Sequence, residues 1–386
     1  MVTHFEFATA TRIIFGPGKL REIGPIAKEL GARALIVTGR SADRSGQLNR
    51  LLGEQGIGHC TLAISGEPRV EDIERGINLA RSEGCDIVVA FGGGSAIDAG
   101  KAIAALITND GDILEYLEVI GRGKPITRPP VPFIAIPTTA GTGAEVTRNA
   151  VIASPEHRVK VSLRSPLLLA KIALVDPELT CELPPALTAT TGLDALTQLI
   201  EPFVSLRANP LTDAICGEGM TRVARSLRRA CEHGHDKAAR EDMALASLFG
   251  GLALANAGLG AVHGFAAPIG GMFPAPHGAV CAALLAAVME SNLIALRERA
   301  PQSDALRRYD QAARWLVGSD KAGAAEGVAW VEHLCDHLRI PALRHYGITA
   351  SDLPAIVEKA ATANSMKANP IALTALEMKA ILHEAL

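Results

Sequence analysis

The first half of the chain alternates short β-rich segments with segments of helical periodicity. Strands are predicted at 33–38, 59–64, 86–91, 132–136 and 173–175, with helices at 45–55 and 70–82. The segment 86–91 is apolar almost throughout, as strands buried on both faces of a parallel sheet are. Strands and helices alternating at this spacing predict an α/β domain whose parallel sheet carries helices on both faces.

The pattern changes near residue 180. From Pro184 onward β-branched runs nearly vanish, and Ala, Leu, Glu and Arg dominate in helical lengths broken by Gly and Pro. We therefore predict two domains, an α/β domain at 1–179 and an all-helical domain at 180–386, joined by the turn at 176–179. A length of 386 residues suits two domains of ordinary size.

The apolar segment 279–289 is too short for a membrane span and is predicted to be a buried core helix.

Composition excludes several classes of protein. The chain is 48% hydrophobic and 20% charged with a net charge of −3, so it is globular and has no general basic surface for nucleic acid. Its seven cysteines are odd in number and none are spaced C-x-x-C, which favours buried thiols in a reducing compartment. Neither a secretory signal nor a membrane span is evident. We expect a cytoplasmic protein with no nucleic-acid or membrane partner.

Two polar, glycine-rich segments directly follow predicted strands. The first, 92–101, reads GGGSAIDAGK and opens a helix, and the second, 137–147, reads PTTAGTGAEVT. Glycine lets the backbone approach a ligand closely, and a helix N-terminus suits a pyrophosphate. Loops at the carboxyl ends of parallel strands flank a common crevice, so together they predict a nucleotide site. An ordinary tight turn or polar connection is the alternative for each segment.

A carboxylate and two imidazoles stand in apolar, glycine-rich surroundings in the helical half. Asp194 and Gln198 are four residues apart on one helical face, and His263 and His277 follow later. One carboxylate, two imidazoles and an open position form the donor set of a catalytic Zn²⁺ or Fe²⁺ site. From spacing alone, core histidines and a helix-capping aspartate remain the alternative.

Several motifs in this order resemble the iron-containing (group III) alcohol dehydrogenase family over nearly the whole length. They are IFGPG at 14–18, GGGSAID at 92–98, AIPTTAGTGAEVT at 135–147, VDPEL at 175–179, TGLDALTQLIE at 191–201 and HGFAAPIGGMFPAPHG at 263–278. The resemblance implies an N-terminal Rossmann-like domain and a C-terminal helical domain, the two-domain plan of dehydroquinate synthase. It also implies hydride transfer between NAD(P) and a small alcohol or aldehyde, a metal in the cleft between the domains, and a homodimer or larger homo-oligomer.

Residue by residue, the resemblance makes Asp194, His263 and His277 metal ligands and catalytic residues. It also implies a set of cofactor contacts: Gly93, Gly94, Ser95, Asp98, Thr138, Thr139, Thr142, Asn149, Lys160 and Leu179. Two positions depart from the family pattern. Gln198 stands where most members carry a further metal-binding histidine, and Ala267 stands where many carry a histidine of the proton path. We expect Gln198 to assist the three ligands, and the metal to be Fe²⁺ or Zn²⁺.

The residues after the first predicted strand bear on the choice of cofactor. NAD-preferring members often carry an aspartate here, which bonds the ribose hydroxyls and repels a 2′-phosphate. This chain instead has Gly39, Arg40 and Ser41. Arg40 can pair with a phosphate, so the loop favours NADP while permitting NAD.

Three other readings of the function stay open. The first is a metal-independent reductase of an oxo-acid or enal on the same fold, similar to maleylacetate reductases. The second is a lyase similar to dehydroquinate synthase, which the absence of Lys and Arg from 263–281 disfavours. The third is a nucleotide-binding protein without catalysis.

Four residues are expected to line an apolar substrate pocket: Leu254, Phe265, Phe273 and Cys281.

Overall fold

A computed structural model describes residues 4–40, 45–157 and 159–386. Within it the chain forms two compact units. Residues 8–139 and 143–180 make up a sheet unit, and residues 4–7, 140–142 and 181–386 make up a helical unit. The division between 180 and 181 lies next to the predicted boundary at 179 and 180. The short segments 4–7 and 140–142, which the predicted boundary assigns to the first domain, pack instead with the helices.

The sheet unit is built on a six-stranded parallel sheet with the strand order β1-β8-β5-β4-β2-β3. A separate antiparallel hairpin is formed by β6 and β7. The strands are β1 (Arg12–Phe15), β2 (Arg33–Thr38), β3 (Gly58–Ala63), β4 (Ile87–Gly92), β5 (Phe133–Pro137), β6 (Asn149–Ser154), β7 (Val159–Arg164) and β8 (Ile172–Val175). The helices of this unit are α1 (Ile23–Lys28), α2 (Gly46–Glu54), α3 (Val70–Ser82), α4 (Gly94–Thr108) and α5 (Ile113–Tyr116).

The predicted fold class is confirmed, and every predicted strand is present within two residues of its expected bounds. All six residues of β4 are buried, because it lies between β5 and β2 in the middle of the sheet. The helix predicted at 70–82 is α3, which buries Ile73, Ile77 and Ala80 along one face. The sequence analysis missed β1, a four-residue edge strand, and the β6–β7 hairpin, whose half-buried segments lack a strong apolar run.

The helical unit contains no strand within residues 181–386. Its helices are α6 (Pro185–Val204), α7 (Pro210–Glu232), α8 (Lys237–Ala257), α9 (Ala261–Met272), α10 (His277–Arg299), α11 (Asp304–Val317), α12 (Ala324–His337), α13 (Leu353–Ala361) and α14 (Ala375–Glu384). α10 is long and apolar enough to cross a membrane, but 72% of its most apolar window is buried within the protein. It is therefore the buried core helix that the sequence predicts around 279–289.

Candidate metal centre and glycine-rich loops

Three helices of the helical unit bring the predicted metal ligands together. Asp194 projects from the middle of α6, His263 from the first turn of α9, and His277 is the first residue of α10. Gly278 makes the approach of α10 to α6 possible, because a Cβ at this position would lie 2.6 Å from the Thr190 carbonyl oxygen. A larger residue at 278 would push His277 away from Asp194.

The donor atoms of these residues face a common point. Asp194 Oδ1 lies 3.4 Å from His263 Nε2 and 3.6 Å from His277 Nε2. Asp194 and His263 are buried, whereas the His277 side chain is 34% exposed and gives the cluster its opening to solvent. Among the residues that the structure describes, Asp194 Oδ1 has no hydrogen-bond partner. A buried carboxylate oxygen in that state is costly unless something else compensates it.

Cys281 adds a fourth donor. Its Sγ lies 3.7 Å from His277 Nε2 and 3.9 Å from His263 Nε2, and the donor atoms of all four residues lie within 4.8 Å of one another. The sequence analysis placed Cys281 in the wall of an apolar pocket together with Phe265. In the structure both side chains are fully buried, and Cys281 belongs to the donor cluster. Its spacing of four residues from His277 is the signal that could have revealed it.

The separations match those expected around a tetrahedral divalent cation. Two nitrogen or oxygen ligands at about 2.1 Å from Zn²⁺ lie about 3.4 Å apart in a tetrahedron. The measured distances from Asp194 Oδ1 to the two imidazoles are 3.4 and 3.6 Å. The unpartnered oxygen and the two convergent nitrogens therefore fit a metal ion.

The charges in this cluster shift its pKa values. Burial alone would raise the pKa of Asp194, but the facing His277 and His263 bring it below its ordinary value. Burial alone would lower the pKa of His277, but the Cys281 thiol and the Asp194 carboxylate raise it to about 9. Burial alone would also lower the pKa of His263. This pKa is nevertheless raised well above its ordinary value by the neighbouring Cys281, Glu201 and Asp194. Without a cation, the His277 imidazole is therefore protonated at neutral pH.

Glu201 fixes the orientation of His263, and the sequence analysis missed it. His263 Nδ1 lies 2.6 Å from Glu201 Oε2, and the backbone N–H of Val262 donates to Glu201 Oε1 at 2.7 Å. Because the carboxylate accepts the Nδ1 proton, Nε2 is the nitrogen that faces the cluster and would bind a cation. Glu201 lies on α6, seven residues after Asp194, so both act from one helix. Its role depends on where α9 begins, which no local spacing reveals.

Buried asparagines support the first turn of α9. Asn369 Oδ1 accepts from the Ala261 backbone N–H at 3.1 Å, and Asn369 Nδ2 donates to Asn292 Oδ1 at 2.7 Å. Asn292 Nδ2 donates in turn to the hydroxyl of Tyr309 at 3.1 Å. This network holds the segment that carries His263 against α10 and α11.

Gln198 is buried one helical turn after Asp194, as the spacing predicts. Its Oε1 accepts no hydrogen bond within the described part of the chain. A Cβ on Gly250 of α8 would lie 3.2 Å from this oxygen, so a larger residue there would crowd the amide. The assistance of this amide oxygen to the three ligands stays a prediction.

In the sheet unit, the two predicted loops lie side by side. β4 and β5 pair in register, Gly92 with Pro137, and the Thr138 N–H donates to the Gly92 carbonyl at 2.9 Å. A Cβ on Gly93 would lie 3.3 Å from the Thr139 methyl group. Gly93 caps α4, which begins at Gly94, so the N–H groups of its first turn, Ser95 included, have no partners within the helix. This edge of the sheet has the form of a phosphate-binding turn.

Asp98, a predicted cofactor contact, is bonded within the protein. Its Oδ1 accepts from Lys101 Nζ at 3.2 Å and its Oδ2 from the Val151 N–H at 3.0 Å. Lys101 is fully buried and also donates to Thr147 Oγ1 and the Asn149 carbonyl, each at 2.8 Å. These bonds tie α4 to the β6–β7 hairpin, and they give Asp98 a structural role that the motif alone did not reveal.

The remaining predicted cofactor residues are distributed over the sheet unit, with one exception. Lys160 Nζ forms an ion pair with Glu67 Oε1 at 3.0 Å, Asn149 begins β6, and Leu179 lies in a short 3₁₀ helix. Thr142 belongs to the segment 140–142 that packs with the helical unit.

The loop predicted to select the cofactor follows β2. A Cβ on Gly92 would lie 3.2 Å from the Gly39 nitrogen, which places the ends of β2 and β4 side by side. Arg40 is exposed, and Ser41 lies outside the described residues.

Comparison with known proteins places these features in a family. A family profile described as iron-containing alcohol dehydrogenase matches residues 10–177, and one described as the C-terminal part of the Fe-containing alcohol dehydrogenase family matches residues 188–386. A 1,3-propanediol dehydrogenase of Klebsiella pneumoniae is 35% identical over 99% of this chain and 98% of that protein.

Two solved structures are similar over almost the whole chain. A crystal structure of a 1,3-propanediol oxidoreductase has a TM-score of 0.92 at 34% identity, covering 99% of this chain and 100% of the other. A sulfoacetaldehyde reductase from Bifidobacterium kashiwanohense, in complex with NAD⁺, has a TM-score of 0.87 at 28% identity, covering 99% and 98%.

Proposed function

The chain belongs to the iron-containing alcohol dehydrogenase family, and on that premise we propose that it is a metal-dependent, NAD(P)-linked dehydrogenase that interconverts a small alcohol and its aldehyde. The observation that carries the proposal is the convergence of Asp194, His263 and His277 on one point, with a buried carboxylate oxygen left unpartnered. A buried, unpartnered carboxylate oxygen is unfavourable in the protein alone, whereas the same oxygen and the two imidazoles are suitable ligands for a divalent cation.

Asp194, His263 and His277 would hold the cation, with Glu201 orienting His263. A divalent cation at this position supplies Lewis acidity toward the oxygen of an alcohol or carbonyl substrate. The buried Asp194 would provide a negative charge that compensates the charge of the cation. The partial exposure of His277 leaves a side from which a small substrate can enter.

The cofactor is proposed to bind on the sheet unit. The N–H groups at the start of α4 would donate to its pyrophosphate, with Thr138 and Thr139 beside them in the loop that follows β5. The relative crystallised with NAD⁺ supports a nicotinamide cofactor. Arg40 is exposed after β2 and can pair with a 2′-phosphate, so we propose a preference for NADP over NAD.

Proton exchange is proposed to run through solvent. Ala267 lies one turn after His263 on α9 and is exposed, and its methyl group can neither accept nor donate a proton. A chain of water from the open side of His277 then takes the place of an imidazole relay.

The proposal is tested by measuring the metal content of the purified protein together with its reductase activity. Oxidation of NADPH and NADH is followed against a panel of aldehydes before and after chelation. We expect close to one Fe or Zn per chain, faster turnover with NADPH, and loss of activity on chelation that is reversed by metal. Full activity without metal would instead assign the protein to metal-independent reductases. Cofactor binding without turnover on the whole panel would indicate a nucleotide-binding protein without catalysis.

A further inference from the structure

We propose that Cys281 is a fourth ligand of the cation and that it makes the site selective for zinc over iron. The inference rests on the proposed metal-dependent function and specifies the chemistry of the same site. Cys281 Sγ lies 3.7 Å from His277 Nε2 and 3.9 Å from His263 Nε2, and its side chain is fully buried. A carboxylate, two imidazoles and a thiol thus enclose one small volume.

The position of Cys281 on α10 follows from helical geometry. His277 and Cys281 are four residues apart, so they lie on the same face of the helix that Gly278 brings against α6. Both belong to the first two turns of a 23-residue helix. Cys281 therefore faces the cluster from the same helix as His277.

The distances fit coordination. With ligand distances of about 2.3 Å for sulfur and about 2.05 Å for nitrogen, sulfur and nitrogen lie about 3.6 Å apart around a tetrahedral Zn²⁺. The observed separations are 3.7 and 3.9 Å.

Hydrogen bonds between the four side chains explain their arrangement less completely than a bound cation does. A single S–H can donate to only one of the two imidazoles at a time. This bond would also leave Asp194 Oδ1 without a hydrogen-bond partner, and the described residues offer it none. A cation between the four donors satisfies all of them at once.

A Cys281 thiolate would also supply the fourth strong ligand that is missing at position 198, where most family members carry a histidine and this chain has Gln198. An uncharged amide oxygen on Gln198 is a hard, weak donor compared with an imidazole. A thiolate is a soft, anionic donor, and together with the Asp194 carboxylate it neutralises the charge of a divalent cation. Thiolate donors favour Zn²⁺, and Zn²⁺ already exceeds Fe²⁺ in intrinsic affinity. A zinc site with four protein ligands can expand to five, so the additional sulfur does not exclude a substrate oxygen.

The test uses the full-length protein, stripped of metal and titrated with Co²⁺ as a spectroscopic substitute for Zn²⁺. We expect one Co²⁺ per chain and a sulfur-to-cobalt charge-transfer absorption in the near ultraviolet, displaced by Zn²⁺. Cys281→Ser should abolish this absorption while still binding Co²⁺, and it should reduce the preference for Zn²⁺ over Fe²⁺ by at least about tenfold. Zinc-edge X-ray absorption of the wild-type protein, which needs no variant, should show one sulfur at about 2.3 Å.

Cys231→Ser is the matched control. Cys231 is a buried cysteine on α7, and burial raises the pKa of its thiol to about 11, so it remains uncharged. This variant should keep both the absorption and the metal preference.

The outcomes separate this inference from the proposed function. If Co²⁺ binds stoichiometrically and Asp194→Ala abolishes that binding, but no sulfur absorption is seen or Cys281→Ser retains it, Cys281 is not a ligand and the metal-dependent function stands. If the wild-type protein binds no stoichiometric metal and its activity survives chelation, the proposed function and the inference both fail.

Discussion

Two buried polar clusters, one in each unit of the molecule, differ in how completely the chain satisfies them. In the sheet unit, Lys101 has three acceptors, at 2.8, 2.8 and 3.2 Å, and both oxygens of Asp98 accept bonds. In the helical unit, Asp194 Oδ1 has imidazole nitrogens only at 3.4 and 3.6 Å. Both clusters contain ionisable groups withdrawn from water, but only the first completes its own hydrogen bonds.

The difference indicates what each cluster is for. A buried pair with full hydrogen bonding holds elements in place, here α4 against the β6–β7 hairpin. A buried carboxylate oxygen that faces two imidazole nitrogens and bonds to neither is organised for something supplied from outside. Burial and charge do not distinguish these two clusters, whereas the hydrogen bonds of their carboxylate oxygens do.

Replacing Asp194 with alanine tests the second half of this comparison, and it has the largest expected effect. The variant loses the only carboxylate of the donor cluster. We expect metal content near zero and a fall in kcat/KM of at least about 10³-fold, because a Lewis acid contributes several kcal/mol to such a reaction. Elemental analysis and steady-state kinetics provide the measurements. Full metal content with unchanged rates would show that Asp194 is not a ligand.

Replacing Lys101 with methionine tests the first half. Removing one partner of a buried, hydrogen-bonded ion pair costs about 3 kcal/mol of stability, because Asp98, Thr147 and the Asn149 carbonyl lose their donor. We expect a lower thermal unfolding midpoint by calorimetry and an unchanged metal content per folded chain. If the variant is as stable as the wild type, the Lys101 cluster is not structural. If it loses its metal, the two clusters are not independent.

Replacing Glu201 with glutamine tests how the metal cluster is oriented. The amide keeps a hydrogen-bond acceptor for His263 but removes the charge that holds the imidazole proton on Nδ1. Changes to such supporting partners typically weaken metal binding by about 10- to 100-fold. Competition with a chelator of known affinity measures the change. Glu232→Gln is the control, since Glu232 forms the exposed counterpart of this interaction with His337 at 2.7 Å. Equal effects of the two substitutions would remove Glu201 from the site.

The elements that the sequence predicts well are those set by local pattern. The buried face of α3 follows from helical spacing over thirteen residues, and β4 follows from an unbroken apolar run. Asp194, His263 and His277 could be assigned as ligands because the motifs around them resemble a known family. The resemblance to the iron-containing alcohol dehydrogenase family is confirmed.

What was not predicted from the sequence depends mostly on how distant segments meet. Cys281 reads as one small apolar residue among alanines until α10 is placed against α6 and α9. Glu201 is a helical carboxylate of no evident role until Val262 and His263 are brought to it. Asp98 looks like part of a cofactor motif until Lys101 and Val151 occupy its oxygens. In each case the partner is either remote in the sequence or hidden by an alternative local reading.

The pH dependence of metal binding distinguishes the two clusters further. The Asp194 cluster must release protons when it binds a cation, whereas the Lys101–Asp98 cluster binds none. The pKa of His277 is raised to about 9, so at neutral pH the metal-free protein carries a proton on this imidazole, which the cation must displace. Metal affinity should therefore rise with pH, by about tenfold per unit for each proton released, and the part that His277 contributes should level off above pH 9. Chelator competition between pH 6 and 9 measures the slope, and calorimetry in buffers of different ionisation enthalpy counts the protons. His277→Gln should reduce that count by one, whereas Lys101→Met should leave it unchanged. A metal affinity that is constant from pH 6 to 9 would mean that His277 does not have to lose a proton and is not a ligand.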